Sequence, residues 1–177
     1  MNSPFWTVTA LKSQTRPHKL YEYILLTLFG VLMYVSQVLM AALTNIEIVS
    51  LLIIVTTKKF GVKALLSVYI FVFCEIFTYG FSMWVINYLY VWAILWFAVW
   101  LIRKTDSAAV YTILSALFGI LFGTLCSIPY FLTGGFSGGI AYIISGFWYD
   151  LLHCAGNFIT TAVLYIPIKK ALDKLIK

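Results

Sequence analysis

The side chains of this sequence that could do chemistry are six polar residues inside otherwise apolar stretches. The six are Glu47, Glu75, Asn87, Asp150, His153 and Asn157. Carboxyl, imidazole and amide groups are costly at membrane depth, so they usually face a cavity or a polar partner there. The last three follow the i, i+3, i+7 spacing that places side chains on one face of a helix. The pattern predicts a ligand pocket or, as the alternative, a buried hydrogen-bond network.

The sequence offers little for catalysis. The pattern GxSG of the rhomboid proteases occurs at residues 135–138, and His153 could serve as a base for Ser137. A glycine-rich stretch produces this pattern by chance, and rhomboids carry the two residues on separate helices, whereas we expect Ser137 on a loop. There is no phosphate-binding loop, no HExxH pattern and no histidine pair for a metal. We therefore expect a protein that is not an enzyme and that holds no cofactor or metal of its own.

The composition is that of a membrane protein. Hydrophobic residues make up 63% of the chain and charged residues 10%, whereas soluble domains are just under half apolar. The net charge of +6 could suggest nucleic acid. The basic residues, however, sit at the ends of the apolar segments, where they anchor the topology and contact anionic lipids. We expect the lipid bilayer as a partner and no nucleic acid.

Six apolar segments can be marked along the chain. They cover about residues 21–44, 46–57, 62–80, 84–102, 107–130 and 147 onward. The second would reach only about 18 Å as a helix, against a hydrocarbon core of about 30 Å, so it must cross beside a cavity or packed protein. The predicted fold is an all-α membrane protein. Residues 21–177 form a single six-helix transmembrane domain, and residues 1–20 form a cytoplasmic N-terminal segment.

The lysines and arginines give the orientation. With six crossings, all of them fall on one side, and the connections near residues 44–47, 80–84 and 131–146 carry none. Basic residues concentrate on the cytoplasmic side, so both termini are expected in the cytoplasm of a cell whose plasma membrane holds the protein. The basic residues are Lys12, Arg16, Lys19, Lys58, Lys59, Lys63, Arg103, Lys104, Lys169, Lys170, Lys174 and Lys177.

The polar residues cluster near the outer side, where a ligand would arrive. Aromatic residues surround them, and rings suit a pocket for a large ring-bearing ligand. The glycine-rich stretch 131–146 is expected to be a flexible outside loop that folds over the site. The absence of Lys and Arg on this side argues against a strongly anionic cargo such as folate, although backbone donors can also bind carboxylates. The predicted binding residues are Asn45, Glu47, Glu75, Trp84, Asn87, Tyr88, Asp150, His153 and Asn157.

The fifth segment carries a stripe of small residues. Ser115, Gly119 and Gly123 recur at four-residue spacing, which lets two helix backbones approach closely. The stripe predicts either packing inside this chain or docking against a separate membrane subunit.

Over nearly its whole length the chain resembles the substrate-binding subunits of energy-coupling factor vitamin transporters. The matching features are the six-helix plan, the short second helix in NIEIVSLLIIVTTKKFG and the last helix in GFWYDLLHCAGNFITTAVLYIPIKKAL. The stretches NIEIVSLL, INYLYVWAIL, LFGTLCSIPY and DLLHCAGNF are similar to one subfamily associated with corrinoid uptake.

The resemblance implies a mechanism and partners. The subunit would bind a vitamin from outside a prokaryotic cell, dock on a transmembrane coupling subunit driven by two cytoplasmic ATPases, and topple to release the cargo. The implied gates are the loops Thr44–Glu47 and Phe131–Gly146, with Thr44, Phe131, Phe136 and Tyr142. The family's AxxxA docking motif is missing from the first helix, so its small residues compete with the stripe for the docking role. The docking candidates are Gly30, Ser36, Ala41, Ser115, Gly119 and Gly123.

The cargo and one rival class stay open. Cobalamin or a related corrinoid is the first choice, because an aromatic, mostly neutral cavity suits an amide-bearing macrocycle. Pantothenate or another small vitamin is the alternative. The rival from a different class is a small oligomeric channel or a structural membrane protein.

Overall fold

The computed structural model describes residues 16–176, with side chains from Leu20 onward. The predicted N-terminal segment 1–20 therefore lies almost wholly outside the described residues, as do Lys12, Lys177 and the side chains of Arg16 and Lys19. All regular secondary structure in the described part is helical. The helices are α1 Arg16–Leu39, α2 Val49–Phe60, α3 Leu65–Tyr79, α4 Met83–Ile102, α5 Ala108–Cys126 and α6 Ile128–Leu175, with a 3₁₀ turn Gly61–Ala64 after α2.

Five helical stretches of the described chain are long and apolar enough to cross a membrane. Four of them are α1, α4, α5 and α6, and the fifth runs through α2, the turn and α3 as Val49–Tyr79. The coarse prediction, an all-α protein with helices long and apolar enough to cross a membrane, is confirmed.

Helix α2 forms the centre of the protein. It is twelve residues long, as short as the sequence suggested, and Val49 to Thr57 are all buried. A helix that is hydrophobic on all sides belongs in a core, and α2 packs against α1, α4, α5 and α6. Together with Trp92 and Leu95 of α4 it forms a continuous apolar cluster.

The expected glycine-rich loop is instead a helical hairpin, so the prediction for residues 131–146 was wrong. Helix α6 begins at Ile128 and breaks only at Gly135, whose φ of 65° lies in the left-handed region that glycine adopts without strain. The break divides α6 into a short arm, 128–134, and a long arm, 136–175. The fifth segment accordingly ends at Cys126 rather than near residue 130, and the sixth begins before 147.

Small residues let the two arms pack instead of keeping them flexible. A Cβ on Gly139 would lie 2.3 Å from the ring of Phe131, so only glycine admits that ring. The rings of Tyr130 and Tyr142 stack with centroids 4.1 Å apart. The predicted gating residues Phe131, Phe136 and Tyr142 thus lie on the arms of a hairpin, not on a loop.

The helices define two ends of the molecule. At the basic end, Lys58 Nζ lies 2.9 Å from Asp106, Lys59 Nζ lies 2.7 Å from Asp173, and Lys63 pairs with Glu22. At the opposite end, which we call the cavity end, Glu47 before α2 and Glu75 near the end of α3 line one cavity. Helices α2 and α3 therefore run in opposite directions between the two ends.

Candidate ligand-binding cavity

A cavity of about 520 Å³ opens at the cavity end. Helices α1, α3, α4, α5 and α6 contribute to its wall, together with the connection between α1 and α2. Its volume lies within the range of about 300–1,000 Å³ typical of small-molecule sites. The predicted site residues that line it are Asn45, Glu47, Glu75, Trp84, Tyr88 and His153.

One wall of the cavity is an aromatic ladder on α4. Trp84, Tyr88 and Trp92 recur every four residues, a spacing that stacks side chains on one helical face. Trp84 and Tyr88 meet edge to face at 5.0 Å, and Tyr88 and Trp92 do so at 5.6 Å. Phe122 of α5 extends the wall, 5.5 Å from the Trp92 ring. The ladder presents ring faces and edges to anything that enters the cavity.

Glu47 and His153 form a buried pair at the cavity. Nε2 of His153 lies 3.3 Å from Oε1 of Glu47, and the two side chains are only 4% and 8% exposed. The other carboxylate oxygen of Glu47 accepts the backbone N–H of Ser50 at 2.8 Å. That N–H belongs to the first turn of α2, where the helix itself supplies no acceptor. Glu47 therefore caps α2 and positions His153 at the same time.

Glu75 has no such arrangement. Its side chain is buried, yet its Oε1 has no hydrogen-bond partner among the described residues. The same holds for Nδ1 of His153 and Oε1 of Gln37, two other residues of the cavity wall. Buried polar atoms are nearly always paired with protein or ordered water. The indole Nε1 of Trp92, also on the cavity wall, is likewise unpaired among the described residues. Four unpaired atoms around one cavity indicate that a ligand or water completes them.

The connection between α1 and α2 is fastened to α6. Asn45 has a φ of 56°, a left-handed conformation that asparagine tolerates better than most residues. Its Nδ2 donates to the carbonyl of Tyr149 at 3.0 Å. Thr44, one of the predicted gating residues, lines the cavity from this connection, so the entrance is built from a short, tethered turn.

Three predicted binding residues lie outside the cavity wall and serve internal hydrogen bonds. Asn87 accepts from the hydroxyl of Tyr90 at 3.0 Å. Asp150 accepts the backbone N–H of Gly123 at 2.9 Å. Asn157 donates to Ser50 Oγ and to the carbonyl of Ser115, both at 3.2 Å. Of the three polar residues on one face of α6, only His153 reaches the cavity.

The predicted docking stripe is covered by α6. A Cβ on Gly119 would lie 2.8 Å from backbone atoms of His153 and Cys154, and one on Gly123 would lie 2.4 Å from the Asp150 carboxylate. Ser115 is fully buried at the same contact. The stripe therefore packs inside the chain, which was one of its two interpretations.

The small residues of the first segment are also engaged within the chain. Gly30 lies against α3, since a Cβ there would meet Ser67 O at 2.7 Å. Ser36 is buried and donates to the carbonyl of Met33, and Ala41 lines the cavity.

Sequence reasoning missed part of the wall. Trp92 and Phe122 were not among the predicted site residues, although the four-residue repeat from Trp84 could have found Trp92. Gln37 was also not among the predicted site residues, yet it lines the cavity and donates from Nε2 to the Tyr88 hydroxyl at 3.4 Å. Its place in the second half of the apolar segment 21–44 was the available signal.

Comparison with protein-family models, with curated proteins and with solved structures finds no match to this chain.

Proposed function

We propose that this chain is the substrate-binding membrane subunit of a vitamin importer of the energy-coupling factor type. The observation that carries the proposal is a cavity near one end of the molecule with unpaired polar atoms in its wall. Towards the basic end the cavity gives way to the buried residues of α2 and the apolar cluster around Leu52 and Leu95. Such a site can hold a ligand, and the packed apolar residues beyond it favour a binding subunit over a pore through the chain.

The proposed topology has six crossings. Because α2 and α3 run in opposite directions, the stretch Val49–Tyr79 counts as two short crossings supported by neighbouring helices. The basic end, with Lys58, Lys59 and Lys63, faces the cytoplasm according to the positive-inside rule. The cavity end then faces the outside of a prokaryotic plasma membrane, where a vitamin arrives.

A binding subunit without a motor needs partners to release its cargo. We assign that role to a transmembrane coupling subunit with two cytoplasmic ATPases. Since the stripe on α5 is covered by α6, the docking surface is assigned to the outward face of α1. Val31, Leu32 and Val35 are exposed there, on the side away from the buried Gly30 and Ser36.

The cavity volume bears on the cargo. A site of about 520 Å³ suits a ligand of one or two rings, because pockets of that size already enclose most of a drug-sized molecule. A corrinoid, with its macrocycle, amide arms and nucleotide, is much larger and would project from the entrance. A small vitamin, the alternative drawn from the sequence, is therefore the cargo class that the volume favours, and the aromatic wall favours one that carries a ring.

The test uses the purified chain in lipid nanodiscs. A panel that includes cobalamin, pantothenate, thiamine, riboflavin and biotin is titrated while tryptophan fluorescence is recorded, because Trp84 and Trp92 line the cavity. We expect one ligand per chain, and copurification with a coupling subunit and ATPases on coexpression. The proposal fails if no vitamin binds and the chain alone passes solutes into liposomes, as an oligomeric channel would.

A further inference from the structure

The charges around the cavity are unbalanced. Within the part of the chain that the structure describes, its wall carries two carboxyl side chains, Glu47 and Glu75, one imidazole, His153, and no Lys or Arg. At the basic end, Lys58, Lys59 and Lys63 form ion pairs with Asp106, Asp173 and Glu22, respectively. Among the described residues the cavity wall therefore carries more acidic than basic side chains, and its unpaired atoms include the acceptor oxygens of Gln37 and Glu75 as well as the N–H donor of Trp92.

The two carboxyl groups differ in their hydrogen-bond partners. Glu47 already receives the Ser50 N–H and lies beside His153. Glu75 is 4% exposed, and its Oε1 has no partner among the described residues. A buried carboxylate oxygen without a partner is costly, so a donor or a positive charge inside the cavity would stabilise Glu75.

The ring ladder points to the same kind of group. Trp84, Tyr88 and Trp92 line the cavity with Glu75, and cations bind favourably over tryptophan and tyrosine faces, more so when they are desolvated. A carboxylate combined with several aromatic rings is a suitable environment for a positively charged ring. A carboxylate-bearing ligand would instead meet Glu75 as a like charge.

We infer that the cavity selects a cationic, ring-bearing ligand whose positive charge is placed between Glu75 and the Trp84–Tyr88 wall. The inference rests on the proposed function, because it names the chemical class of the cargo held at that same site. It predicts that a cationic vitamin binds more tightly than the anionic pantothenate. It also assigns Glu75 as the residue that determines selectivity by charge.

The test is a charge series built on one ring. The probes are 1-methylnicotinamide, which is a permanent cation, nicotinamide, which is neutral, and nicotinate, which is an anion at neutral pH. They are titrated by calorimetry into the chain in nanodiscs of zwitterionic lipid at fixed salt. We expect the cation to bind about tenfold more tightly than the neutral probe, equivalent to about 1.4 kcal/mol, and the anion to bind most weakly.

Glu75→Gln supplies the variant, since it keeps the size and one carbonyl oxygen but removes the charge. It is expected to bring the affinity for the cation close to that for nicotinamide and to change nicotinamide binding less than it changes binding of the cation. Glu22→Gln is the matched control, because Glu22 pairs with Lys63 at the basic end, and it should leave the whole series unchanged. If Glu75→Gln does not fold, the order in which the unaltered chain binds the cationic, neutral and anionic probes still tests the inference.

The outcomes separate this inference from the proposed function. Equal binding of the three probes, a preference for the anion, or no binding of the cation overturns the inference. In each of those cases the proposed function stands if a vitamin of the panel still binds one per chain. It fails as well if no vitamin binds.

Discussion

Glu47 and His153, which are 106 positions apart in the sequence, meet at the cavity with Oε1 and Nε2 separated by 3.3 Å. The contact joins the start of α2 to the middle of α6, and both side chains are almost fully buried. One contact therefore fixes the short central helix, the long last helix and the cavity wall relative to one another.

Replacing His153 should destabilise the protein. His153→Ala leaves a buried oxygen of Glu47 without its partner, which costs about 1–3 kcal/mol, so the apparent melting temperature in detergent should fall. A double-mutant cycle with Glu47→Gln should show coupling between the two positions. Glu22→Gln, at an exposed pair, should have a small effect. If His153→Ala has the same apparent melting temperature as the unaltered chain, the Glu47–His153 contact does not stabilise the protein.

Gly119 should not accept a side chain. A Cβ there would lie 2.8 Å from the backbone of His153 and Cys154, and backbone atoms cannot rotate away. We expect Gly119→Ala to cost about 1–3 kcal/mol through overpacking. Gly134→Ala is the control, since nothing lies within 4 Å of its added Cβ. Equal thermal stability of the two variants would show that α5 and α6 do not pack in this way.

Asp150 is expected to serve structure rather than binding. Its carboxylate accepts the Gly123 N–H and does not line the cavity. Asp150→Asn keeps an acceptor oxygen and should retain stability and ligand affinity, whereas Asp150→Ala should lower stability. Calorimetry on folded samples measures the affinities. A loss of binding in Asp150→Asn without a loss of stability would place Asp150 in the site.

Trp84 should matter for binding more than for folding. It is half-buried at the cavity, and its ring contacts Tyr88, so Trp84→Ala removes ring contacts with the ligand. Loss of an aromatic anchor costs about 2 kcal/mol or more, equivalent to an increase in Kd of more than tenfold. Trp148→Ala, at a ring that is 69% exposed and outside the cavity wall, is the control. Equal Kd values for Trp84→Ala and Trp148→Ala would show that the ligand does not bind against Trp84.

Lys58 should stabilise the basic end more than its partner Asp106 does. Its ammonium donates to the carbonyls of Arg103 and Thr105, beyond the end of α4, as well as to Asp106. Lys58→Met should therefore lower the melting temperature clearly, whereas Asp106→Asn should lower it slightly. Equal effects of the two changes would contradict this assignment.

The contribution of Asp106 to the stability of the protein should depend on pH. The hydrogen bond and charge of Lys58 lower the pKa of Asp106. A depressed carboxyl pKa gives stability that is present above the usual value and is lost as the pH falls through the lowered one. The difference in melting temperature between Asp106→Asn and the unaltered chain should vanish in acid. A difference that grows as the pH falls would contradict the pair.

Local patterns predicted much of the fold. The apolar segments, the short α2 and the grouping of basic residues depend on composition along the chain, and Lys58, Lys59 and Lys63 indeed share one end. The hairpin was missed because glycine occurs both in flexible loops and in tightly packed turns, and a glycine-rich composition favours the flexible loop. Here Gly135 permits a positive φ at the break, and Gly139 leaves room for a neighbouring ring.

The cavity was predicted in part. Glu47, Glu75 and His153 were identified because polar groups are rare in apolar segments. Which of these groups faces the cavity depends on contacts between helices, and a sequence does not show them. Asn157 has the same spacing on α6 as His153, but Ser50 and Ser115 occupy its hydrogen bonds.

The most direct test of the central claim is native mass spectrometry of the chain, purified in mild detergent from cells grown in rich medium. The account predicts one small-molecule adduct per chain, with a mass that names the vitamin, and a weaker adduct in Trp84→Ala but not in Trp148→Ala. A chain that carries no adduct and takes up none of the vitamins when they are added would contradict a substrate-binding subunit.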